Sequence, residues 1–419
     1  MKKVGTILLL LIVAGTFLFA GGKAETVKSG PLSVMIWDSN QEPGIRKIID
    51  DFTAKTGIEA EIQVVDWANY WTLLAAGAQG GSLPDVFWMH SNESQRYMSN
   101  EMLLDITDRV AKSSLIDLAN YPADIWSLYT YENRYYAVPK DVDTIALWYN
   151  KALFDKAGLS YPDASWTWDD LYVAAKKLTA PDRSVYGFAN QSNNNQAGWY
   201  NLVYGNNGYV LSEDKTHSGL DKPEAIEAMK WMERMILEDL MPSQSVMSEN
   251  AEDVLMQSGK VVMAMQGSWM VPSFRDNEYS YENCDVAELP YNARTGRRPS
   301  IYNGLGWAIA KNSTRADDAW KLVEYFGSKE AQLKQAQLGI TMSAYVNTSE
   351  DWKNSVPKFN LQAYLNMQDD MVIRPFSKNT VKWEDATHDI MLKVWSKEIT
   401  MEQGMREAAR ITNEILADE

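Results

Sequence analysis

The stretch Leu32-Ser-Val-Met-Ile-Trp-Asp-Ser-Asn40 decides the fold, because apolar residues alternate in it before a polar turn. This alternation predicts a β-strand. Apolar residues then recur at helical spacing over 45–52, and Gly57 stands where such a helix would end. Two more strands are predicted at 58–64 and 85–89, with a second helix between them over 70–78. This order predicts a parallel sheet with crossover helices, and hence an α/β fold.

Each of these three strands ends in a polar segment that contains tryptophan. The segments are Trp37-Asp38-Ser39-Asn40, Asp66-Trp67-Ala68-Asn69 and Trp88-Met89-His90-Ser91-Asn92. Because ligands of open α/β sheets bind beyond the carboxyl ends of the strands, the three segments are candidates for one binding site. The preference of turns for Asp and Asn would explain the polar residues, but it would not explain the tryptophans.

The first twenty residues are typical of a secretory signal peptide. Lys2 and Lys3 precede an apolar run of about ten residues, and Ala20 stands before a polar stretch. We therefore expect a signal peptide of residues 1–20 to be removed, with cleavage after Ala20 or, as an alternative, after Ala24. The mature protein is expected to work as a soluble body outside the cytoplasm, in a periplasm or an equivalent space. No other stretch approaches the roughly 20 apolar residues of a membrane-spanning helix.

Cysteine and histidine are too scarce for several kinds of site. The single cysteine, Cys284, lies far from the signal region, so the sequence predicts no lipid anchor, no internal disulfide and no cysteine-based metal site. With three histidines in the chain, a histidine-rich zinc site is not expected either. We expect neither a metal nor a cofactor.

Charge and aromatic content narrow the ligand class. The net charge of −16 repels nucleic acid and anionic lipid, so no nucleic-acid partner is expected. The chain has 16 tryptophans, many of them beside Asp, Asn, Tyr or Gly. Tryptophans fill protein cores, but they also cover the apolar faces of sugar rings, whose hydroxyl edges Asp and Asn can bind.

Motifs of common enzymes are missing from the sequence. It has no phosphate-binding loop, no glycine-rich dinucleotide turn, no zinc-spaced histidine pair and no nucleophile elbow. Two carboxylate pairs, Asp141 with Asp143 and Asp38 with Asp66, keep a glycosidase open. Carboxylates also accept hydrogen bonds from sugar hydroxyls, and neither pair has a partner that marks it as catalytic. We therefore favour binding over cleavage.

Eight short phrases, taken together and in order, resemble those of family 1 extracellular solute-binding proteins of ABC sugar importers, which are similar in plan to maltodextrin-binding protein. The phrases are Ile36-Trp37, Leu83-Pro84-Asp85-Val86, Leu103-Leu104-Asp105-Ile106-Thr107, Val138-Pro139, Leu147-Trp148-Tyr149-Asn150-Lys151 with Phe154-Asp155-Lys156-Ala157-Gly158, Thr167-Trp168-Asp169-Asp170-Leu171, Gly259-Lys260-Val261-Val262-Met263 with Gly267-Ser268-Trp269, and Gly306-Trp307-Ala308-Ile309.

The resemblance implies a two-lobed α/β fold of the type II periplasmic-binding-protein class, with the ligand cleft between lobes joined by hinge crossings. The length of the chain also favours two lobes over one core. After the signal peptide, lobe 1 would comprise residues 31–140 plus 306–348, and lobe 2 residues 141–305 plus 349–419. The crossings would fall near 138–143, 303–307 and 346–351.

The resemblance also implies which residues contact the ligand. They are Asp38, Asn40, Asp66, Trp67, Trp88, His90, Asp143, Trp199, Trp269, Tyr302, Asn303 and Trp383. No catalytic residue and no metal ligand is expected among them.

The expected function is that of a monomeric, non-enzymatic binding component that delivers a mono- or oligosaccharide to an ABC permease in the membrane. Two alternatives stay open. The same fold could bind a cationic amine or polyamine through cation–π contacts, or the protein could be a secreted carbohydrate-active hydrolase. Asn40, Asn92, Asn201 and Asn303 near the expected cleft favour a ligand with hydroxyl groups over an amine.

Overall fold

The computed structural model describes residues 30–419, so the predicted signal peptide lies outside the described residues. The strands are β1 (Leu32–Ile36), β2 (Ala60–Val64), β3 (Val86–Met89), β4 (Thr130–Tyr131), β5 (Arg134–Tyr135), β6 (Ala137–Pro139), β7 (Ile145–Asn150), β8 (Tyr186–Ala189), β9 (Val261–Gly267), β10 (Cys284–Ala287), β11 (Ser300–Tyr302), β12 (Gly306–Ile309) and β13 (Met371–Ile373).

Helices cover the sheets and form the C-terminal end of the chain. They are α1 (Glu42–Thr56), α2 (Trp67–Gly80), α3 (Ser91–Ser99), α4 (Thr107–Lys112), α5 (Ala123–Ser127), α6 (Lys151–Ala157), α7 (Trp168–Leu178), α8 (Tyr200–Gly205), α9 (Pro223–Leu237), α10 (Gln244–Glu249), α11 (Glu252–Gln257), α12 (Val271–Asp276), α13 (Glu278–Asn283), α14 (Ala316–Phe326), α15 (Lys329–Gln337), α16 (Ser349–Lys353), α17 (Gln362–Leu365), α18 (Thr380–Trp395) and α19 (Met401–Leu416).

The first sheet has the strand order β2-β1-β3-β12-β6. Strand β1 pairs in parallel with β2 and β3, as the sequence predicts, and β12 pairs antiparallel with β3 and β6. Helix α1 packs Ile45, Ile48, Ile49 and Phe52 into the core and ends at Gly57, whose φ of 71° is the left-handed conformation that glycine adopts most readily. The carboxyl ends of β1, β2 and β3 therefore meet at one edge of this sheet.

The second sheet has the strand order β10-β7-β9-β8. Every residue of β7 and of β9 is buried, because helices cover both faces of the sheet's centre. Strands β8 and β9 run parallel, whereas β7 is antiparallel to β9 and β10. Two small sheets, β11-β13 and β4-β5, complete the described strands.

Two separate hydrophobic cores surround these sheets. One contains apolar residues of β1, β2, β3, β6 and β12, and the other contains those of β7 to β10 together with α18 and α19. The protein thus has the two α/β lobes that the sequence predicts. The residue boundaries given above for each lobe stay a prediction.

The lobes meet where three chain segments pair through their backbones. Asp143 and Asn303 exchange two backbone hydrogen bonds of 2.7 and 3.1 Å. Val142 N donates to Met342 O at 3.1 Å, and Lys140 N donates to Leu305 O at 2.7 Å. This pairing carries the chain from one core to the other beside the cleft.

Candidate functional site

A cavity of about 300 Å³ lies between the two lobes. We call it the cleft cavity, and both lobes and the crossing segments line it. Its lining residues are Trp37, Asp38, Gln41, Trp67, His90, Asp141, Asp143, Asn193, Asn194, Asn195, Gln196, Trp269, Leu305 and Arg374.

The wall from the first lobe is aromatic and follows from the sheet topology. Trp37 comes directly after β1, Trp67 begins α2 after β2, and His90 comes directly after β3. The ring centroids of Trp37 and Trp67 are 5.1 Å apart, and those of Trp67 and His90 are 5.4 Å apart, both in edge-to-face arrangement. Trp67 keeps 44% of its surface exposed, so part of its ring is free to contact a ligand.

The wall from the second lobe contains Trp269, which follows the end of β9. The Trp269 ring packs on the backbone of Gly267, where a Cβ atom would come within 2.0 Å of a ring carbon. Glycine at position 267 therefore permits the orientation of this ring. Each lobe thus contributes a tryptophan to the cleft cavity.

Polar atoms with no protein partner accompany these rings. Asp143, Gln196 and Arg374 line the cavity, and each has a buried side-chain atom that pairs with no other atom of residues 30–419. The atoms are the acceptor Oδ1 of Asp143 and the donors Nε2 of Gln196 and Nε of Arg374. Since buried polar groups are nearly always hydrogen-bonded, these are the groups that a hydroxyl-bearing ligand can satisfy.

Arg374 connects the two lobes inside the cleft. Its Nη2 donates to both carboxylate oxygens of Glu384 on α18, at 2.7 and 2.9 Å, and its Nη1 lies 3.2 Å from Nδ1 of His90 in the first lobe. Burial and the adjacent guanidinium hold the pKa of His90 well below its usual value, so the imidazole is neutral. Burial raises the pKa of Glu384.

A second buried ion pair lies at the crossing. The Lys140 ammonium pairs with the carboxylate of Asp141, both side chains being fully buried, and it also donates to Oε1 of Gln41 at 2.9 Å. Burial, together with the neighbouring charge of Asp141, raises the pKa of Asp143 well above its usual value. Three aspartates, Asp38, Asp141 and Asp143, line the cavity. The cavity therefore carries less negative charge than three ionised carboxylates would give it.

A smaller cavity of about 220 Å³ adjoins the cleft cavity, and we call it the side cavity. It shares Trp67, Asn193, Asn195 and Arg374 with the cleft cavity. Its other lining residues are Asn92, Ser192, Trp199, Glu384, Asp385, Thr387 and His388.

The structure places five of the twelve predicted ligand residues on the cleft cavity and a sixth, Trp199, on the side cavity. The five are Asp38, Trp67, His90, Asp143 and Trp269. Trp199 is almost fully buried, and its Nε1 donates to the carbonyl of Ser192 at 3.2 Å. The role of all twelve residues as ligand contacts stays a prediction.

Four further residues of that set are buried and line neither cavity. Trp88 and Trp383 have no exposed surface and lie in the first and second core, respectively. Tyr302 and Asn303 lie at the second crossing, where Nδ2 of Asn303 is 3.2 Å from Nε2 of His90. Asn303 therefore contacts a cavity-lining side chain without lining the cavity itself.

The last two, Asn40 and Asp66, lie at the exposed ends of helices. The backbone N–H of Asn40 donates to Oδ1 of Asp38 at 2.8 Å, just before α1. Asp66 caps α2, since its carboxylate accepts the backbone N–H of Asn69 at 3.2 Å and the side-chain amide of Asn69 at 2.8 Å. These bonds lower the pKa of Asp66, with the side-chain amide as the main cause.

Several cavity residues were not found from the sequence. The run Asn193-Asn194-Asn195-Gln196 forms a wall of the cleft cavity, and four consecutive amide side chains were a signal that could have identified it. Arg374 and Glu384 gave no such signal, because each stands alone in an ordinary polar stretch and their pairing depends on the tertiary fold.

Residues 30–419 contain no cluster of His, Cys, Asp or Glu side chains that could hold a metal ion. Among the helices of these residues, none has the length and hydrophobicity needed to cross a membrane.

Comparisons with known proteins agree with this architecture. The maltotriose-binding protein of Pyrococcus abyssi is 25% identical over 324 residues, covering 75% of this chain and 67% of that protein. The maltodextrin-binding protein of Bacillus subtilis is 24% identical over 336 residues, covering 75% of each. A solved structure, an ABC substrate-binding protein of Listeria monocytogenes in complex with cycloalternan, has the same fold, with a TM-score of 0.85 and 23% identity over 92% of this chain and 99% of that one.

The family profile described as "Bacterial extracellular solute-binding protein" matches residues 38–333, which is well over half of the chain. This match spans β2, β3, β6 and β12 of the first sheet, the first two crossings and most of the second lobe, including Trp67 and Trp269 on opposite walls of the cleft cavity. The chain belongs to the family of bacterial extracellular solute-binding proteins.

Proposed function

We propose that this protein is the substrate-binding component of an ABC transporter, that it binds a mono- or oligosaccharide in the cleft cavity, and that it delivers the sugar to a membrane permease from outside the cytoplasm. The observation that carries the proposal is the pair of tryptophans, Trp67 and Trp269, contributed by opposite lobes around unpartnered polar atoms. The maltotriose- and maltodextrin-binding relatives support the sugar class.

The chemistry of the cavity fits a sugar. The apolar C–H faces of a pyranose ring match the tryptophan rings, and its hydroxyl groups can donate to Asp143 and accept from Gln196. When the two lobes close on the ligand, both kinds of contact are shielded from water, and the ligand shifts the protein toward the closed state by its preference for that state.

Three of the four carboxylates that could have served a glycosidase are occupied by structural bonds. Asp141 pairs with Lys140 and accepts the backbone N–H of Leu305 at 2.7 Å, and Asp66 caps α2. Asp38 accepts the side-chain amide of Gln41 at 2.8 Å. Neither of the two predicted pairs therefore keeps two free carboxylates to act as acid and nucleophile, which favours binding without hydrolysis.

A cationic amine fits the cavity less well than a neutral sugar does. The guanidinium of Arg374 lines the cavity and would repel an ammonium group, and the raised pKa of Asp143 removes negative charge that an amine would need. Four amide side chains in a row add groups that bind hydroxyls. We further propose that the protein acts as a monomer and binds no nucleic acid.

A thermal-shift screen of the mature protein tests the proposal, with a panel of mono- and oligosaccharides and with polyamines. A sugar at a hundredfold excess over its dissociation constant adds about 2.7 kcal/mol to the free energy of unfolding, which raises the melting midpoint by roughly 3 °C. A shift with polyamines alone would contradict the proposal. Release of reducing sugar from a glycan by the purified protein would contradict its non-enzymatic part.

Two substitutions test the cleft cavity itself. We expect Trp269→Ala and Asp143→Ala each to weaken sugar binding roughly tenfold or more, since each removes a contact that nothing else in the cavity replaces. Asp50→Ala, at an exposed position of α1, is the control. The measurement is isothermal titration calorimetry, with circular dichroism to verify folding. Wild-type affinity in both cleft variants would refute the assignment of the site.

A further inference from the structure

The side cavity and the cleft cavity are neighbours and share part of their lining. Four residues border both cavities: Trp67 of the first lobe, Asn193 and Asn195 of the second, and Arg374, which joins the lobes. Ligand pockets usually measure about 300–1,000 Å³. The cleft cavity alone is at the lower limit of this range, whereas the two cavities together fall well inside it.

We propose that the ligand is an oligosaccharide of at least two sugar units, with one unit in the cleft cavity, the next in the side cavity and the linkage beside Arg374. This inference rests on the proposed function. A monosaccharide would fill only the cleft cavity. The proposal thus makes the side cavity the part of the site that selects for chain length.

The residues of the side cavity suit a neutral, hydroxyl-rich group. Helix α18 carries Glu384, Asp385, Thr387 and His388 at spacings of three and four residues, which places Glu384, Thr387 and His388 on one face. The charge of Glu384 is balanced by Arg374, and burial lowers the pKa of His388, so that this imidazole is neutral near pH 7. Asp385 forms no hydrogen bond or ion pair within residues 30–419 that would occupy its carboxylate.

Trp67 supplies an aromatic surface to both cavities. Its ring borders each of them and is the most exposed of the aromatic rings in this wall. Trp199, the other tryptophan of the side cavity, is almost fully buried and has little surface left to contact a ligand. One exposed ring at the boundary is suited to cover two consecutive sugar units rather than a single one.

Arg374 is suited to the linkage itself. Its Nη1 and Nη2 are committed to His90 and Glu384, so the guanidinium is held in a fixed position and its Nε–H remains without a protein acceptor among residues 30–419. A guanidinium can only donate. The oxygen that links two sugar units carries no hydrogen and can only accept, so the two groups are complementary where the cavities meet.

Calorimetry with disaccharides and their component monosaccharides tests this inference. The probes are maltose with glucose, lactose with galactose, and sucrose with fructose. We expect the disaccharide of the recognised series to bind roughly tenfold or more tightly than either component, because it adds the contacts of the side cavity. Equal affinity for a monosaccharide would overturn the inference and leave the proposed function intact. Failure of every mono-, di- and oligosaccharide would contradict the proposed function itself.

Substitutions on α18 separate the two cavities. The double variant Asp385→Ala/His388→Ala removes polar groups that line only the side cavity. It should weaken disaccharide binding roughly tenfold and leave monosaccharide binding unchanged. The matched control is Asp389→Ala, which changes an exposed carboxylate of the same helix that borders neither cavity. Equal loss for both sugars, or no loss for either, would show that the side cavity does not hold the second unit.

Discussion

Glu252 is a buried carboxylate on which one wall of the cleft cavity depends. Its side chain bonds to the amide of Asn194, which lines the cavity, while its second oxygen has no partner within residues 30–419. In the part of the chain that the structure describes, no cation compensates its charge, and Asp253 follows it directly. Burial raises the pKa of Glu252 from 4.5 to about 7.

This shift makes the stability of the protein depend on pH in a defined direction. The folded state keeps a proton that the unfolded chain releases above its own pKa, so the stabilisation is complete below pH 4.5 and is lost as the pH rises to about 7. A shift of this size corresponds to about 3 kcal/mol. Glu252→Gln keeps the acceptor for Asn194 and cannot ionise, so it should gain about that much stability relative to wild type between about pH 5 and pH 8.

Urea unfolding of both proteins across this pH range measures the difference. Glu249→Gln, at an exposed position of α10, should leave the difference at zero at every pH. A constant difference between wild type and Glu252→Gln would mean that Glu252 is already ionised in the folded protein at pH 5.

At the residue scale, the sequence identified cavity residues only where the position of a residue follows from the order of strands and helices. Asp38, Trp67 and His90 line one cavity because they follow parallel strands whose carboxyl ends meet. Arg374 escaped prediction because it lies more than 280 residues from His90 and ten from Glu384. A contact of that kind has no local pattern and arises only when both lobes are assembled.

Strands and helices were more predictable than contacts, since their periodicity is local. Thr167 and Asp170 have the spacing of a capping box in the sequence, and this capping box is present at the start of α7. Pro223, a residue type that favours the first helical position, is the first residue of α9. The boundaries differ by a few residues: α2 begins at Trp67 rather than at Tyr70, because Asp66 caps the helix earlier than its apolar spacing indicates.

At the scale of a structural element, the turn after β9 determines the orientation of Trp269 in the cleft cavity, and this can be tested. In Gly267→Ala, the new methyl group would overlap the Trp269 ring, which is only half-buried and can turn away at small cost. We therefore expect sugar binding to weaken roughly tenfold or more while the melting midpoint changes little. Gly80→Ala, in the last turn of α2, meets only an ordinary contact at 3.6 Å and is the matched control.

Calorimetry of the two variants measures their sugar affinity, and thermal melting measures their melting midpoints. If Gly267→Ala bound the sugar as tightly as wild type, the orientation of the Trp269 ring would be irrelevant to binding, and this wall of the cleft would have to be reassigned.

For the whole molecule, length and the order of elements predicted two lobes, but they could not predict how the lobes meet. That arrangement depends on long-range backbone pairs, such as those of Asp143 with Asn303 and of Val142 with Met342. It also depends on the buried pair of Lys140 and Asp141, whose cost of burial is offset only when all three segments are in place.

The charge of the whole molecule allows the ligand class to be tested without any substitution. The net charge is −16, yet inside the cleft Arg374 is balanced by Glu384, Lys140 is balanced by Asp141, and burial raises the pKa of Asp143. A neutral sugar should therefore bind with nearly the same affinity at about 0.05 M and 0.5 M NaCl, because no long-range attraction between charges contributes. A polyamine, attracted by the net charge, should lose roughly tenfold or more over this range. Calorimetry at the two salt concentrations measures the change in affinity. A steep loss of affinity for the recognised ligand would mean that the ligand is a cation. Its binding would then be governed by the electrostatic field of the whole protein rather than by the tryptophans and amides of the cleft.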